Sequence, residues 1–435
     1  MTGLLSTPSV CPDCYLGLDL GTSGVRACAI DDQKRLVAEA LTKLPAPRRA
    51  AGGISEQDPQ LWWDAVVRVL QELEEQLQDY EIRALAVDGT SATLLLTDQA
   101  GEPLTSALMY DDSRSRDQLS TIAAVAPADS PVHSATSSLA KLLWLKNQLV
   151  ERDFLALHQA DWILGRLGGH FGLSDENNCL KLGYDPIARG WPKWLSRLDL
   201  PLGCLPEVHP PATLVGRLSD QAAQQTHLPG CIRLIAGTTD SNAATLAAGA
   251  SQTGDAVTSL GSTLVLKILS DRPVNAPKYG VYSHRLGDRW LVGGASNSGG
   301  AVLSAHFTPE QMIRLTRELE PDHPTGLDYY PLLKPGERFP VNDPDFPPRL
   351  HPKAQSDVGF FQGILEGIAQ IEKRGYALLH ELGAPRPKRV ISIGGGGVNE
   401  PWRQMREKLL GVPVSRAEQS QAAYGTALLA LHACA

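Results

Sequence analysis

Two strongly apolar runs, YLGLDL (Tyr15 to Leu20) and VRACAI (Val25 to Ile30), flank four small or polar residues, Gly21, Thr22, Ser23 and Gly24. β-prone segments broken by a glycine turn predict a hairpin. LVAEAL, after Asp31 and Asp32, predicts a third strand. Asp58 and Pro59 then open a stretch ending in VVRVLQELEEQL, whose apolar residues recur every three or four positions. That spacing predicts an amphipathic helix with proline in its first turn. IRALAVDG (Ile82 to Gly89) predicts the next strand. Three strands, a helix and a strand around a leading hairpin suit an α/β layer and not a helical bundle.

The same order recurs later. DAVTSLGSTLVLKIL (Asp255 to Leu269) again predicts strand, Gly-Ser-Thr loop, strand, with RWLVGG as third strand. The helical run Gly363 to Gly383 then leads into the strand RVISIGG. LGTS (Leu20 to Ser23) and LGST (Leu260 to Thr263) thus head two halves of one architecture, the repeated order of elements counting for more than four similar residues. The first half is expected to end near Pro229 to Cys231, giving domains at residues 15–231 and 232–431. Nine prolines between Glu320 and Lys353 read as a surface excursion and not a core element.

Composition narrows the function classes. The 435 residues allow two or three domains, and 43% hydrophobic with 20% charged residues describes a soluble globular chain. Forty Lys and Arg against 48 Asp and Glu leave a net charge of −8, which excludes broad attraction to nucleic acid or anionic membranes. A phosphate ligand must therefore be bound locally. No run approaches a membrane span, and the first fourteen residues lack the pattern of an export leader, so a cytoplasmic location is expected. The seven scattered cysteines read as reduced thiols. CPDC (Cys11 to Cys14) has metal-knuckle spacing but no second pair to complete a site.

The candidate chemistry is in the loops. Asp19 at a strand end, followed by Thr22 and Ser23, offers a carboxylate for a Mg²⁺ shell with hydroxyls and backbone donors for phosphate. Alone, this motif reads more readily as an ordinary hairpin turn. Gly261, Ser262 and Thr263 repeat it in the second half, and GGGGVN (Gly394 to Asn399) at a strand end lets backbone approach a nucleotide. Three such loops suggest ATP in a cleft, held without a Walker motif. Asp240, before a run of small residues, reads alone as a helix N-cap. Beside phosphate loops it has the chemistry to take the proton of an accepting alcohol.

Together these motifs resemble the FGGY-type carbohydrate kinases of the actin and ribonuclease H-like ATPase superfamily. DLGTSGVRA, EQDPQLWW, YDDSR, DWILGRLGG, GTTDSNAA, LGSTLVL, DYYPLLKPGERFP and ISIGGGG arrive in that family's order. The resemblance implies two ribonuclease H-like α/β domains around a nucleotide and sugar cleft, with ATP and Mg²⁺ as cofactors. It implies Asp240 as catalytic base and Asp19 as the metal-organising residue beside the substrate. It also implies Thr22 with Ser23 and Gly261 to Thr263 as phosphate loops, and Gly395, Gly396 and Asn399 as the adenosine-side loop. Xylulose kinases usually carry Met-His after the strand matching LAVDG and Asp-Asn at the base. Here those places read GTSAT and Asp240-Ser241. That pattern is more similar to cyanobacterial and plant sugar kinases acting on D-ribulose, which implies Ser91 as a sugar-hydroxyl partner. The alternatives are D-xylulose, a polyol or glycerol as acceptor, or a nucleotide-switched binding protein.

Two features remain outside that scheme. Trp62 and Trp63, adjacent on a helix, point in different directions and read as packing. Arg114 is spaced equally well to hold a sugar hydroxyl or to pair with Asp111 or Asp112.

Overall fold

The computed structural model describes residues 11–149 and 153–434; the expected lack of a leader concerns mainly residues 1–10, which lie outside them. The chain divides into two compact units. One runs up to Ile122, from Ser134 to Ala243 and again from Gln421; the other comprises Ala123–His133 and Ala244–Ser420.

In the first unit, β1 (Asp13–Leu20), β2 (Gly24–Asp31) and β3 (Leu36–Lys43) form an antiparallel meander. Helix α1 (Pro59–Glu75) follows, capped by the Asp58 side chain, which accepts from the Gln60 amide. β4 (Glu81–Gly89) then pairs parallel with β1. After helix α2 (Ser138–Lys146) come β5 (Leu214–Arg217), β6 (Arg233–Thr239), parallel to β4, and helix α3 (Asp240–Ala247). The sheet order is β5-β6-β4-β1-β2-β3. β1 is buried from Cys14 to Leu20, whereas β3 alternates. A strand covered on both faces must be apolar throughout, and an edge strand need not be.

The second sheet repeats this plan. β7 (Asp255–Leu260) and β8 (Leu264–Ser270) form the hairpin, followed by β9 (Tyr282–Leu286) and β10 (Arg289–Ala295). Helix α4 (Asp357–Glu381), β11 (Arg389–Ile393), helix α5 (Glu400–Leu410) and β12 (Val414–Arg416) complete it. Its order is β9-β10-β8-β7-β11-β12, with β7, β11 and β12 parallel. The central series third, second, first, fourth, fifth is therefore shared, with one extra antiparallel strand at opposite edges.

Helix α6 (Ala422–His432) packs over β1 and β4 of the first sheet, although it follows the second in sequence. The approach is close enough that a Cβ at Gly17 would lie 1.9 Å from the Ala423 carbonyl oxygen, so that position of β1 admits only glycine. Trp62 and Trp63 are buried in the first core, and the Trp62 indole donates to Gln57 Oε1 at 2.7 Å.

The proline-rich stretch corrects the sequence reading. It forms no long helix or strand, yet Tyr329, Tyr330, Leu332 and Phe339 are buried in the second core. Glu337, also buried, accepts from the Ser296 hydroxyl at 2.6 Å, the Asn297 amide at 2.8 Å and the Tyr330 hydroxyl at 2.9 Å. Proline prevents regular structure but not burial, provided the polar groups find partners. The aromatic residues of this stretch were the better guide.

Candidate functional site

Parallel pairing brings three carboxyls of the first unit to one sheet end. Asp19 on β1 lies opposite Asp88 on β4, and Gly89 lies opposite Thr239, the residue before Asp240. The carboxyl ends of parallel strands are where open α/β sheets bind ligands. Asp19 is 7% exposed, and burial followed by the charge of Asp240 raises its pKa to about 6. Asp88 is fully buried and pushed well above the usual carboxylate range, by burial and then by Asp19. Its Oδ2 accepts from the Thr426 hydroxyl of α6, and its carboxyl is hydrogen-bonded to that of Asp19. Asp240 opens α3, and its Oδ1 accepts from the Ser241 amide at 2.6 Å. Among the described residues, the cation that lowers the Asp19 pKa is the exposed Arg26 across the hairpin. The cluster thus gathers three carboxyls with little neighbouring positive charge, a donor set suited to a cation.

The other predicted residues of this unit surround that cluster in sequence. Thr22 and Ser23 occupy the β1–β2 turn, closed by the Gly21 amide donating to Gly24 O at 3.0 Å. Ser91 is half-buried in the turn after β4, three residues beyond Asp88. Arg114, left open by spacing, pairs with Asp112 at 2.8 Å and Glu56 at 2.7 Å, and Asp111 pairs with Arg49 at 3.0 Å. Among the described residues no group of three or more His, Cys, Asp or Glu forms a ready metal cage. Mg²⁺ does not need one, since it commonly keeps several waters and takes one or two carboxylates beside substrate phosphates.

The second unit presents a different surface. A cavity of about 720 Å³ is lined by Gly261 and Ser262 of the β7–β8 loop and by Gly395, Gly396 and Asn399 beyond β11. Its walls include Phe361, Leu365, Ile368 and Trp402. That volume and mostly apolar lining are ordinary for a small-molecule or cofactor site. Thr263, though in the loop, does not line it. Asn399 caps α5: its Oδ1 accepts from the Trp402 amide at 3.0 Å, and its Nδ2 donates to Thr316 Oγ1 at 3.2 Å. Gly394 has φ +82°, and a Cβ there would lie 3.0 Å from the Leu260 carbonyl. The backbone of the glycine loop is therefore pressed against the hairpin.

Sequence reasoning missed Asp88, Thr426 and Trp402. Asp88 had a signal: Asp88-Gly89-Thr90-Ser91 repeats the strand-end Asp and Gly-Thr-Ser of Asp19 and Gly21 to Ser23. Thr426 had none, because only the return of α6 brings it to Asp88.

The paired sheets, each led by a hairpin with the same central strand order, form the actin-like ATPase fold, and the chain is a phosphotransferase of the carbohydrate-kinase class. It belongs to the FGGY family of carbohydrate kinases, whose N-terminal domain matches residues 14–247 and C-terminal domain residues 256–434. The chain is 26% identical over 418 residues to xylulose kinase of Escherichia coli (strain K12), covering 91% of this chain and 85% of that one. It is 27% identical over 444 residues to xylulose kinase of Bacillus subtilis (strain 168), covering 95% and 87%. Among solved structures, a xyloylose kinase from Brucella ovis matches with a TM-score of 0.87 and 26% identity, covering 97% of this chain and 90% of that one. No helix among the described residues is long and apolar enough to cross a membrane.

Proposed function

We propose that this sugar kinase transfers the γ-phosphate of ATP to a terminal hydroxyl of D-ribulose in the cytoplasm, with Mg²⁺ as cofactor. The observation that carries the reading is the gathering of Asp19, Asp88 and Asp240 at the carboxyl ends of adjacent strands, with the Ser91 turn directly beyond. Asp240 takes the proton of the attacking hydroxyl, which loses it as the new P–O bond forms and ADP leaves. Thr22, Ser23 and the Gly261 to Thr263 loop orient the phosphates and donate to charge that develops during transfer. Gly395, Gly396 and Asn399 face the nucleoside side, and the apolar cavity fits a purine. Asp19 would organise the hydrated Mg²⁺, supported by the gathering of carboxyls at this strand end with little positive charge nearby. When bound, the ion supplies neutralisation of phosphate charge.

The acceptor is argued from Ser91 and Ser241, where xylulose kinases usually carry Met-His and Asn. A hydroxyl and a carboxamide offer different donors and reach, so an epimer suited to one pocket leaves polar groups unpaired in the other. The names of the relatives favour D-xylulose as the second reading. Paired steady-state kinetics with both ketoses on wild type and Ser91→Ala decide between them. D-ribulose should show the higher kcat/KM, and Ser91→Ala should lower it chiefly through sugar binding. A wild-type preference for D-xylulose or glycerol overturns the sugar and leaves the kinase.

A further inference from the structure

Helix α2 is apolar along the turn that packs inward, with Leu139, Leu142 and Leu145 buried, yet it also buries Lys141 completely. Among the described residues the Lys141 ammonium touches no carboxylate. Its Nζ donates to two backbone carbonyls, Ala92 O and Met109 O, each at 2.7 Å. Burying a cation without an ion-pair partner is costly, and a methionine of similar length would pack in the same place. The two carbonyls therefore need an explanation.

Both belong to segments around the carboxylate cluster. Ala92 follows Ser91 and has φ +68°, a left-handed conformation unusual for a residue with a side chain. Such a turn persists only when held from outside. Its other end is held by Gln159, whose Oε1 accepts from the Thr90 amide at 3.1 Å and hydroxyl at 2.8 Å. Met109 precedes Tyr110, which is 44% exposed and within the electrostatic reach of Asp240. The charged groups acting on Lys141 are Asp111, Asp112, Arg114 and Lys181; burial outweighs them and lowers its pKa to about 7. Asp112 is engaged elsewhere, by the Ser55 amide at 2.7 Å and by Arg114.

We propose that Lys141 is a positioning residue of the acceptor site: by clamping the carbonyls of Ala92 and Met109 together it sets the Ser91 hydroxyl and the Tyr110 ring for the sugar. The inference deepens the proposed function and rests on Ser91 facing the acceptor. Lys141→Met keeps length and removes both donors, while Lys141→Gln keeps a shorter donor.

The test compares KM for ketose and for ATP in both variants, in Ser91→Ala, and in the Ser91→Ala/Lys141→Met double variant. Lys141→Met should raise the ketose KM about tenfold, as loss of a buried hydrogen-bond donor does, and leave the ATP KM within about twofold. Lys141→Gln should fall between it and wild type. Because the clamp acts through Ser91, its effect should shrink at least about threefold in the Ser91→Ala background. Equal losses for both substrates, additive effects, or failure of both Lys141 variants to fold would overturn the proposal and assign the residue to general stability. An unchanged ketose KM in Ser91→Ala would instead fell the acceptor reading, and this inference with it.

Discussion

The two hairpins occupy the same place in two sheets of the same order, but their strand ends carry opposite chemistry. Aligning LGTS with LGST sets Asp19 against Ser259. By sheet register Asp19 lies beside Asp88, whereas Ser259 lies beside Ile393. One topology thus yields a crowded pair of carboxyls in the first unit and a neutral, apolar-flanked glycine loop in the second. Crowded carboxyls handle protons and cations; a neutral loop receives phosphates and a base without repelling them. Duplicated architecture supplies two positions, and in the proposed function the residues at the strand ends divide the labour.

The comparison breaks most visibly at Asp240. Asp240→Ala should lower sugar-dependent turnover by about 10²- to 10⁴-fold, the usual loss with a general base, while nucleotide affinity measured by calorimetry stays near wild type. Near-normal turnover in the folded variant would remove the base from the first unit. Next in size, Asp19→Ala should slow turnover by roughly 10- to 100-fold and displace its Mg²⁺ titration, with ketose KM little changed. An unaltered titration would make Asp19 a turn residue only.

A sharper test puts the first unit's chemistry into the second. Ser259→Asp introduces a carboxylate where the phosphates are proposed to bind, and like-charge repulsion should raise the ATP KM about tenfold. The ketose KM should hold. An unchanged ATP KM would mean that the neutrality of the second hairpin has no functional meaning.

The smallest effect is on stability. The Asp19 pKa is raised above its unfolded value to about 6, so the native state binds that proton more tightly than the unfolded chain. Its contribution is favourable below about pH 4 and is lost as pH rises through 6. Asp19→Asn should therefore melt higher than wild type at pH 7 to 8, with the gap closing towards pH 4. A lower melting temperature across the whole range would show that the charge on Asp19 is compensated in the fold.

Much of the frame was legible because its signals are local. The hairpins, α1 with its Asp58 cap, and the strands ending in Asp19 and Asp88 follow from apolar periodicity and turn residues. The family motifs located the loops at Gly261 and Gly394. β6 was not read from the pattern, although RLIAGTT is apolar enough and Pro229-Gly230 marks a turn just before it, because that turn was read as the boundary between the halves. The proline-rich stretch was misread because proline count reports backbone regularity and says nothing of what Tyr330 and Phe339 bury against.

Sequence by itself determined the two hairpin-led halves, the strand-end aspartates, the glycine loops and the membership these imply. Tertiary structure alone decided that α6 crosses back to the first sheet and places Thr426 on Asp88, 338 residues away. It alone decided that Asp88 lies beside Asp19, that Arg114 is engaged by Glu56 and Asp112, and that Lys141 is buried against two carbonyls. The physical reason is range. Propensity and turn chemistry act over a few residues, whereas burial, pKa shifts and close backbone approach arise between segments that only packing brings together.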